Sequence, residues 1–260
     1  DSRGFITADA LEEAIDADTV LVSIQAANSE LGSVEPVREL AAIAHAHGAL
    51  FHVDATQALG KMPLDVREWN VDAASFSAHK VGGPKGVGAL YVKTRTPLSA
   101  FQLGGGQEAG RRSGTQNVMG AAGFAAACHV VCAMETEESA RLRELRDELY
   151  EKLSQVPGVR PTVDVPRGSA DFLPNIVHVI VSDLESETLI LRLDMKGFGV
   201  SGGSACSSHS FEPSHVLRSI GVEGDDAYGA LRISMGRYTT AEDIDRFLIA
   251  FDEALNWNRG

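Results

Sequence analysis

Val20-Leu21-Val22-Ser23-Ile24 is a short apolar run rich in branched residues, and Ala49-Leu50-Phe51-His52-Val53 is a second. Between them Val37, Leu40, Ala41 and Ala44 recur at helical spacing. Pro36 stands where a first-turn proline is tolerated, and Gly48 where a C-terminal glycine belongs. Strand, helix, strand in that order predicts an α/β layer with buried strands. Ala73–Ser77 and Gly88–Val92 extend the pattern with two more strand candidates.

The chain changes character from about Glu135. Leu142, Leu145, Leu149 and Leu153 make one apolar stripe on a long charged helix, which Pro157-Gly158 ends. Ile176–Val181 reads as a strand, Ser186–Lys196 as a helix closed by Gly197, and Leu231–Ser234 as a short strand. Thr240 to Asp243 has the form of a capping box, followed by Ile244, Phe247, Leu248 and Phe251 on one face. The expected organisation is a large α/β domain over 1–135 and a smaller α+β domain over 136–260, with the boundary falling within 130–140. Pro161 to Gly168 reads as the most mobile loop.

Composition narrows the function. The 260 residues carry a net charge of −13, which argues against a nucleic-acid binder working by phosphate neutralisation. No apolar run reaches the ~20 residues of a membrane span, and no signal peptide opens the chain. Three cysteines leave one over in any disulfide framework. The expectation is a reduced, cytoplasmic protein with no membrane or nucleic-acid partner. Cys128 and Cys132 flank His129 in an alanine-rich helical stretch without further ligands at metal spacing, so they read as buried small hydrophobes, and no metal site is expected. His45 and His47 are two apart on a helix, do not share a face, and read as non-functional.

The segment Ser75-Phe76-Ser77-Ala78-His79-Lys80-Val81-Gly82-Gly83-Pro84-Lys85-Gly86 is the strongest chemical signal. A strand ends in Ser and His, then comes Lys, then a turn of glycine and proline. A lysine held rigidly there and desolvated becomes a nucleophile or Schiff-base former; the plain alternative is a surface lysine on a loop. Ser77 and His79 could donate to a phosphate. Upstream, Asp54 in His52-Val53-Asp54-Ala55-Thr56-Gln57 closes a buried strand. It calls for a cationic or hydrogen-bonding partner, of which a pyridinium nitrogen is one and the amino end of the next helix another.

Taken in order, His-Val-Asp-Ala-Thr-Gln, Ser-Phe-Ser-Ala-His-Lys, Gly-Pro-Lys-Gly-Val-Gly-Ala-Leu-Tyr-Val, Gly-Gly-Gly-Gln-Glu, Arg-Ser-Gly-Thr (112–115) and Ser-Ala-Cys-Ser-Ser (204–208) resemble the cysteine desulfurases of the NifS/IscS type. These belong to the class V, fold-type I pyridoxal phosphate enzymes. The resemblance implies part of a fold-type I large domain with a mainly parallel sheet, plus a smaller C-terminal α+β domain. It implies pyridoxal 5'-phosphate as cofactor and conversion of L-cysteine to L-alanine. Lys80 matches the lysine that carries the cofactor, Asp54 the carboxylate facing its pyridine nitrogen, and Gln57 the amide on its phenolic oxygen. Ser77 and His79 match phosphate ligands, with His79 also a catalytic candidate beside Lys80 and Cys206. Thr115 matches a threonine that reaches the phosphate of the other subunit, which implies a homodimer. Arg232 matches the clamp on the substrate carboxylate. Cys206 matches the nucleophile, in a small, polar, glycine-rich setting suited to a loop that hands sulfur on. The acceptors implied are proteins such as an iron–sulfur scaffold or a thiolation carrier.

Two departures stand out. Where the family has Asn-Asn-Glu before the Asp strand, this chain has Asn28-Ser29-Glu30. The cofactor and substrate contact of the second Asn is then lost from Ser29, passed to water, or taken over by Asn28. The chain also begins well inside the family's large domain, so a further amino-terminal fragment or subunit is expected to supply the first strands. The alternatives are a selenocysteine lyase or related class V enzyme, an aminotransferase of the same fold, and a catalytically silent partner-binding subunit.

Overall fold

The computed structural model describes residues 1–202 and 213–257. They form two compact units: residues 8–26 with 36–135, and residues 1–7 with 27–35 and 136 onward.

The first unit is built on helix α1 (Ala8–Ala14), strand β1 (Leu21–Gln25), helix α2 (Val37–Ala46) and strands β2 (Leu50–Asp54), β3 (Ala73–Ser77) and β4 (Gly88–Val92). The strands lie in the order β1-β2-β3-β4, with β1, β2 and β3 parallel and β4 antiparallel. Alternation decides the faces. Val22 and Ile24 on β1, Phe51 and Val53 on β2 and Ala74 on β3 are buried, and α2 buries Val37, Leu40, Ala41 and Ala44. The predicted strands hold to within a residue, and the expected α/β layer is present. Asp72 explains the pairing of His45: its Oδ2 lies 2.8 Å from His45 Nε2 and accepts the Phe51 N–H at 2.8 Å.

Helix α3 (Val118–Leu153) begins in this unit and ends in the other. Its amino-terminal half corrects two expectations. By length and composition it is apolar enough to cross a membrane, with a mean hydropathy of 1.5 over an 18-residue window. Only 11% of that window is buried, so Cys132 is exposed and Cys128 half-buried; neither is the buried small hydrophobe expected. Burial needs covering residues, which helical periodicity does not report.

The second unit contains the antiparallel sheet β5 (Val159–Pro161), β6 (Ile176–Val181) and β7 (Ala230–Ser234), in that order. Helices α4 (Ser186–Asp194), α5 (His215–Ser219), α6 (Asp225–Tyr228) and α7 (Ala241–Leu255) complete it. Leu142, Leu145, Leu149 and Leu153 of α3 join Val177, Val179, Leu231, Phe247 and Phe251 in its core. Thr240 and Asp243 form the predicted capping box. The loop expected to be mobile is instead tied to α3. Gly168 N donates to Asp147 Oδ2 at 2.6 Å, and Arg146 Nη2 donates to Ser169 O at 3.1 Å.

His178, on the central strand β6, is fully buried. Its Nδ1 is 2.7 Å from Thr162 Oγ1, while its N–H donates to Tyr150 Oη at 3.0 Å. Burial, reinforced by the Arg232 guanidinium, pushes its pKa down to about 3. The unfolded chain takes up this proton near pH 6.5 and the folded chain does not. Stability therefore falls as pH drops below about 6.5, at roughly 1 kcal/mol per pH unit from this group. Glu35, pushed up to about 7 by burial, gives a slope of opposite sign over the same range, so the His178 contribution is read as a difference. In denaturant unfolding at pH 7, 6 and 5, the stability of the parent relative to His178→Asn, which can keep the Thr162 contact, is expected to fall by this slope.

Candidate active site

Parallel strands end together, and their carboxyl edge is where open α/β sheets bind ligands. Here β2 ends in Asp54 and β3 in Ser77, with Asp54 registered opposite Ser75. The chain leaves β3 through a 3-10 turn, Ala78–Val81, that carries His79 and Lys80. Gly82 stops the turn at φ 79°, in the left-handed region, and Gly83 donates to Ala78 O at 2.9 Å. A Cβ on Gly83 would stand 2.9 Å from that same oxygen, so the turn requires glycine there. This short, locked turn fixes the direction of Lys80.

The groups on this edge differ in what holds them. Asp54 Oδ1 accepts the Thr56 N–H at 2.9 Å, an Asx turn that orients the carboxylate. Gln57 Oε1 accepts from Lys61 Nζ at 2.7 Å, which leaves the amide NH2 for an outside acceptor. His79 and Lys80 are exposed, and among the described residues Lys80 Nζ has neither hydrogen bond nor ion pair. An uncommitted primary amine, an oriented carboxylate, an amide donor, a hydroxyl and an imidazole therefore share one edge. That donor set fits pyridoxal phosphate, which offers an aldehyde, a ring nitrogen, a phenolic oxygen and a phosphate. Thr115 lies off these strands, exposed in the irregular stretch between β4 and α3.

Asn28, Ser29 and Arg232 belong to the other unit. Arg232, on β7, donates from Nη1 to the main-chain carbonyl of Ser29 at 2.8 Å. Asn28 is buried with its Oδ1 accepting the N–H groups of Glu30 at 2.8 Å and Leu31 at 3.0 Å. Its carbonyl thus holds the turn. Burial lowers the Arg232 pKa, and the buried carboxylate of Glu30 opposes that shift. Ser201 forms a two-way backbone bridge with Arg232 at 2.6 and 3.1 Å. Cys206 itself lies outside the described residues. Among the described residues, no group of three or more His, Cys, Asp or Glu could hold a metal. Sequence reading assigned no role to His52, Glu30 or His178. Only for His52 was there a signal, since a period of two sets it on the face of Asp54.

A mainly parallel sheet with an amine and a carboxylate at its carboxyl edge is an α/β scaffold of the kind that binds ligands at that edge. The chain belongs to the class-V aminotransferase family, whose model matches residues 1–247. It is 40% identical over 260 residues to the cysteine desulfurase IscS of Clostridium botulinum, covering all of this chain and 65% of that protein. A solved NifS-like protein superimposes with a TM-score of 0.89 at 38% identity, over 98% of this chain and 66% of that one. A structure titled SspA in complex with cysteine gives 0.71 at 32% identity, over 92% of this chain and 65% of that one. The chain spans just under two thirds of the length of these relatives. The likeness shows the α/β architecture with its mainly parallel sheet expected from the sequence, and families of this class depend on pyridoxal phosphate.

Proposed function

We propose that this chain is the greater part of a pyridoxal phosphate-dependent cysteine desulfurase, which converts L-cysteine to L-alanine and passes the sulfur to an acceptor protein. The observation that carries the reading is the uncommitted Lys80 amine, set by a locked turn on the same strand edge as Asp54. The 40% identity to a cysteine desulfurase and the cysteine named with SspA support the choice of substrate.

Each residue has a task under this reading. Lys80 Nζ would hold the cofactor through its aldehyde carbon. Asp54 would keep the ring nitrogen protonated, Gln57 would donate to the phenolic oxygen, and Ser77 and His79 would hold the phosphate. When bound, the cofactor draws electrons from the substrate α-carbon, chemistry that no side chain supplies. Arg232 grips the substrate carboxylate with its planar fork. Asn28 Oδ1 is spent on its own turn, which holds the amide in place and leaves its NH2 to donate to that carboxylate beside Arg232, whose Nη1 is braced by the Ser29 carbonyl. Cys206 thiolate then attacks the substrate sulfur. The Cβ–S bond breaks with its electron pair left on carbon, which takes a proton to give alanine, and the sulfur stays on Cys206 as a persulfide. An iron–sulfur scaffold or thiolation carrier takes it from there. A homodimer fits the exposed Thr115, and the cytoplasm fits a chain whose chemistry needs free thiols.

Release of alanine and sulfide from L-cysteine in the presence of a reductant tests this. Cys206→Ala is expected to lose both products while keeping bound cofactor. An enzyme that makes alanine unchanged in the variant would overturn the desulfurase reading in favour of another class V activity.

A further inference from the structure

Three side chains on one face of the parallel sheet form a continuous hydrogen-bonded chain across three strands. Ser23 Oγ on β1 lies 2.8 Å from His52 Nδ1 on β2, and His52 Nε2 lies 2.7 Å from Ser75 Oγ on β3. Ser23 is the register partner of His52, and Ser75 is the register partner of Asp54. His52 and Asp54 are two residues apart on the same strand, so both share this face with the two serines. The arrangement satisfies a neutral imidazole: one ring nitrogen donates to a hydroxyl and the other accepts from one. Burial lowers the His52 pKa, with Asp54 the charge that opposes it.

We infer that His52, fixed at both ring nitrogens by Ser23 and Ser75, is a positioning residue for Asp54. His52 flanks Asp54 along β2 and Ser75 stands opposite it in register, and their mutual hydrogen bond keeps both side chains from rotating freely. Asp54 Oδ1 then stays on the Thr56 N–H, and the other oxygen is presented to the cofactor's ring nitrogen. A neutral imidazole suits this place, because a cation there would compete with the ring for the carboxylate. A hydrophobic residue would fill the space and leave both serine hydroxyls without their ring partner. The inference rests on the reading that Asp54 serves pyridoxal phosphate.

Spectral titration of the apo-protein with pyridoxal phosphate tests it through affinity, without reliance on turnover. His52→Phe is expected to weaken binding about tenfold, and Ser75→Ala, a smaller lesion that guards against misfolding, by less. Asp54→Asn should weaken binding more than either. The decisive measurement is the double variant His52→Phe with Asp54→Asn. If His52 acts through Asp54, adding His52→Phe to Asp54→Asn costs no further affinity. Additive losses would overturn the inference and make His52 a general support of the sheet, as would unchanged affinity in both His52→Phe and Ser75→Ala. If Asp54→Asn leaves affinity and spectrum unchanged, the cofactor reading of Asp54 fails instead, whatever His52 does.

Discussion

Lys80→Ala is expected to abolish the visible absorption band of bound cofactor and to lower alanine production from L-cysteine by roughly a thousandfold or more. The effect is chemical rather than structural. Lys80 is exposed on its 3-10 turn and bonds none of the described residues, so its removal leaves the fold intact. Circular dichroism and the thermal midpoint of the apo-protein should match the parent. Lys80→Arg separates the two roles a lysine could play. It retains a cation for the phosphate yet cannot supply a neutral amine, because a guanidinium does not lose its proton. The same loss in Lys80→Arg assigns Lys80 as nucleophile; activity restored by arginine would reduce it to a charge and would sink the proposed chemistry.

The second large effect lies in the unit that carries Arg232. Arg146 is fully buried on α3 and spends its guanidinium on five hydrogen bonds. Nε and Nη2 grip Asp147 Oδ1 at 2.9 and 2.8 Å, and Nη1 and Nη2 donate to the carbonyls of Phe172, Leu173 and Ser169. Asp147 in turn accepts the Gly168 N–H at 2.6 Å. Arg146→Ala leaves a buried carboxylate without its counter-charge and three carbonyls without a donor. Breaking one side of a buried pair costs about 3–5 kcal/mol, which corresponds to a fall in melting temperature on the order of 10 °C for a unit of this size. Arg146→Lys should recover little, since a single ammonium cannot reach carbonyls and carboxylate together. Calorimetry of both variants checks this, and a shift within a degree or two of the parent would show that the loop 161–173 is held by other means.

Much of the candidate site was legible because its signals are local. Asp54, Gln57, Ser77, His79 and Lys80 fall within one β-strand-to-turn pattern each, and strand ends of a parallel sheet gather by topology alone. The capping box at Thr240 and Asp243 needs only a spacing of three. Where the reading went astray, the missing information was long-range. Cys128 and Cys132 have the sequence of a buried helix and lie on one that is largely uncovered. That the Asn28 oxygen closes the turn before Leu31 could not be read from the chain either. Pro161 to Gly168 has the composition of a free loop, yet Arg146 and Asp147 hold it.

By itself the sequence determined the order of strands and helices and the strand ends at which Asp54 and Lys80 sit. Periodicity, turn chemistry and short spacings act within a few residues and can be read without coordinates. Only the tertiary structure decided that Arg146 is buried, that Arg232 reaches the carbonyl of Ser29 from 203 residues away, and that Ser23, His52 and Ser75 join across three strands. Each of those depends on which distant backbone arrives alongside, and hydrogen bonds between such partners leave no periodic trace in the chain.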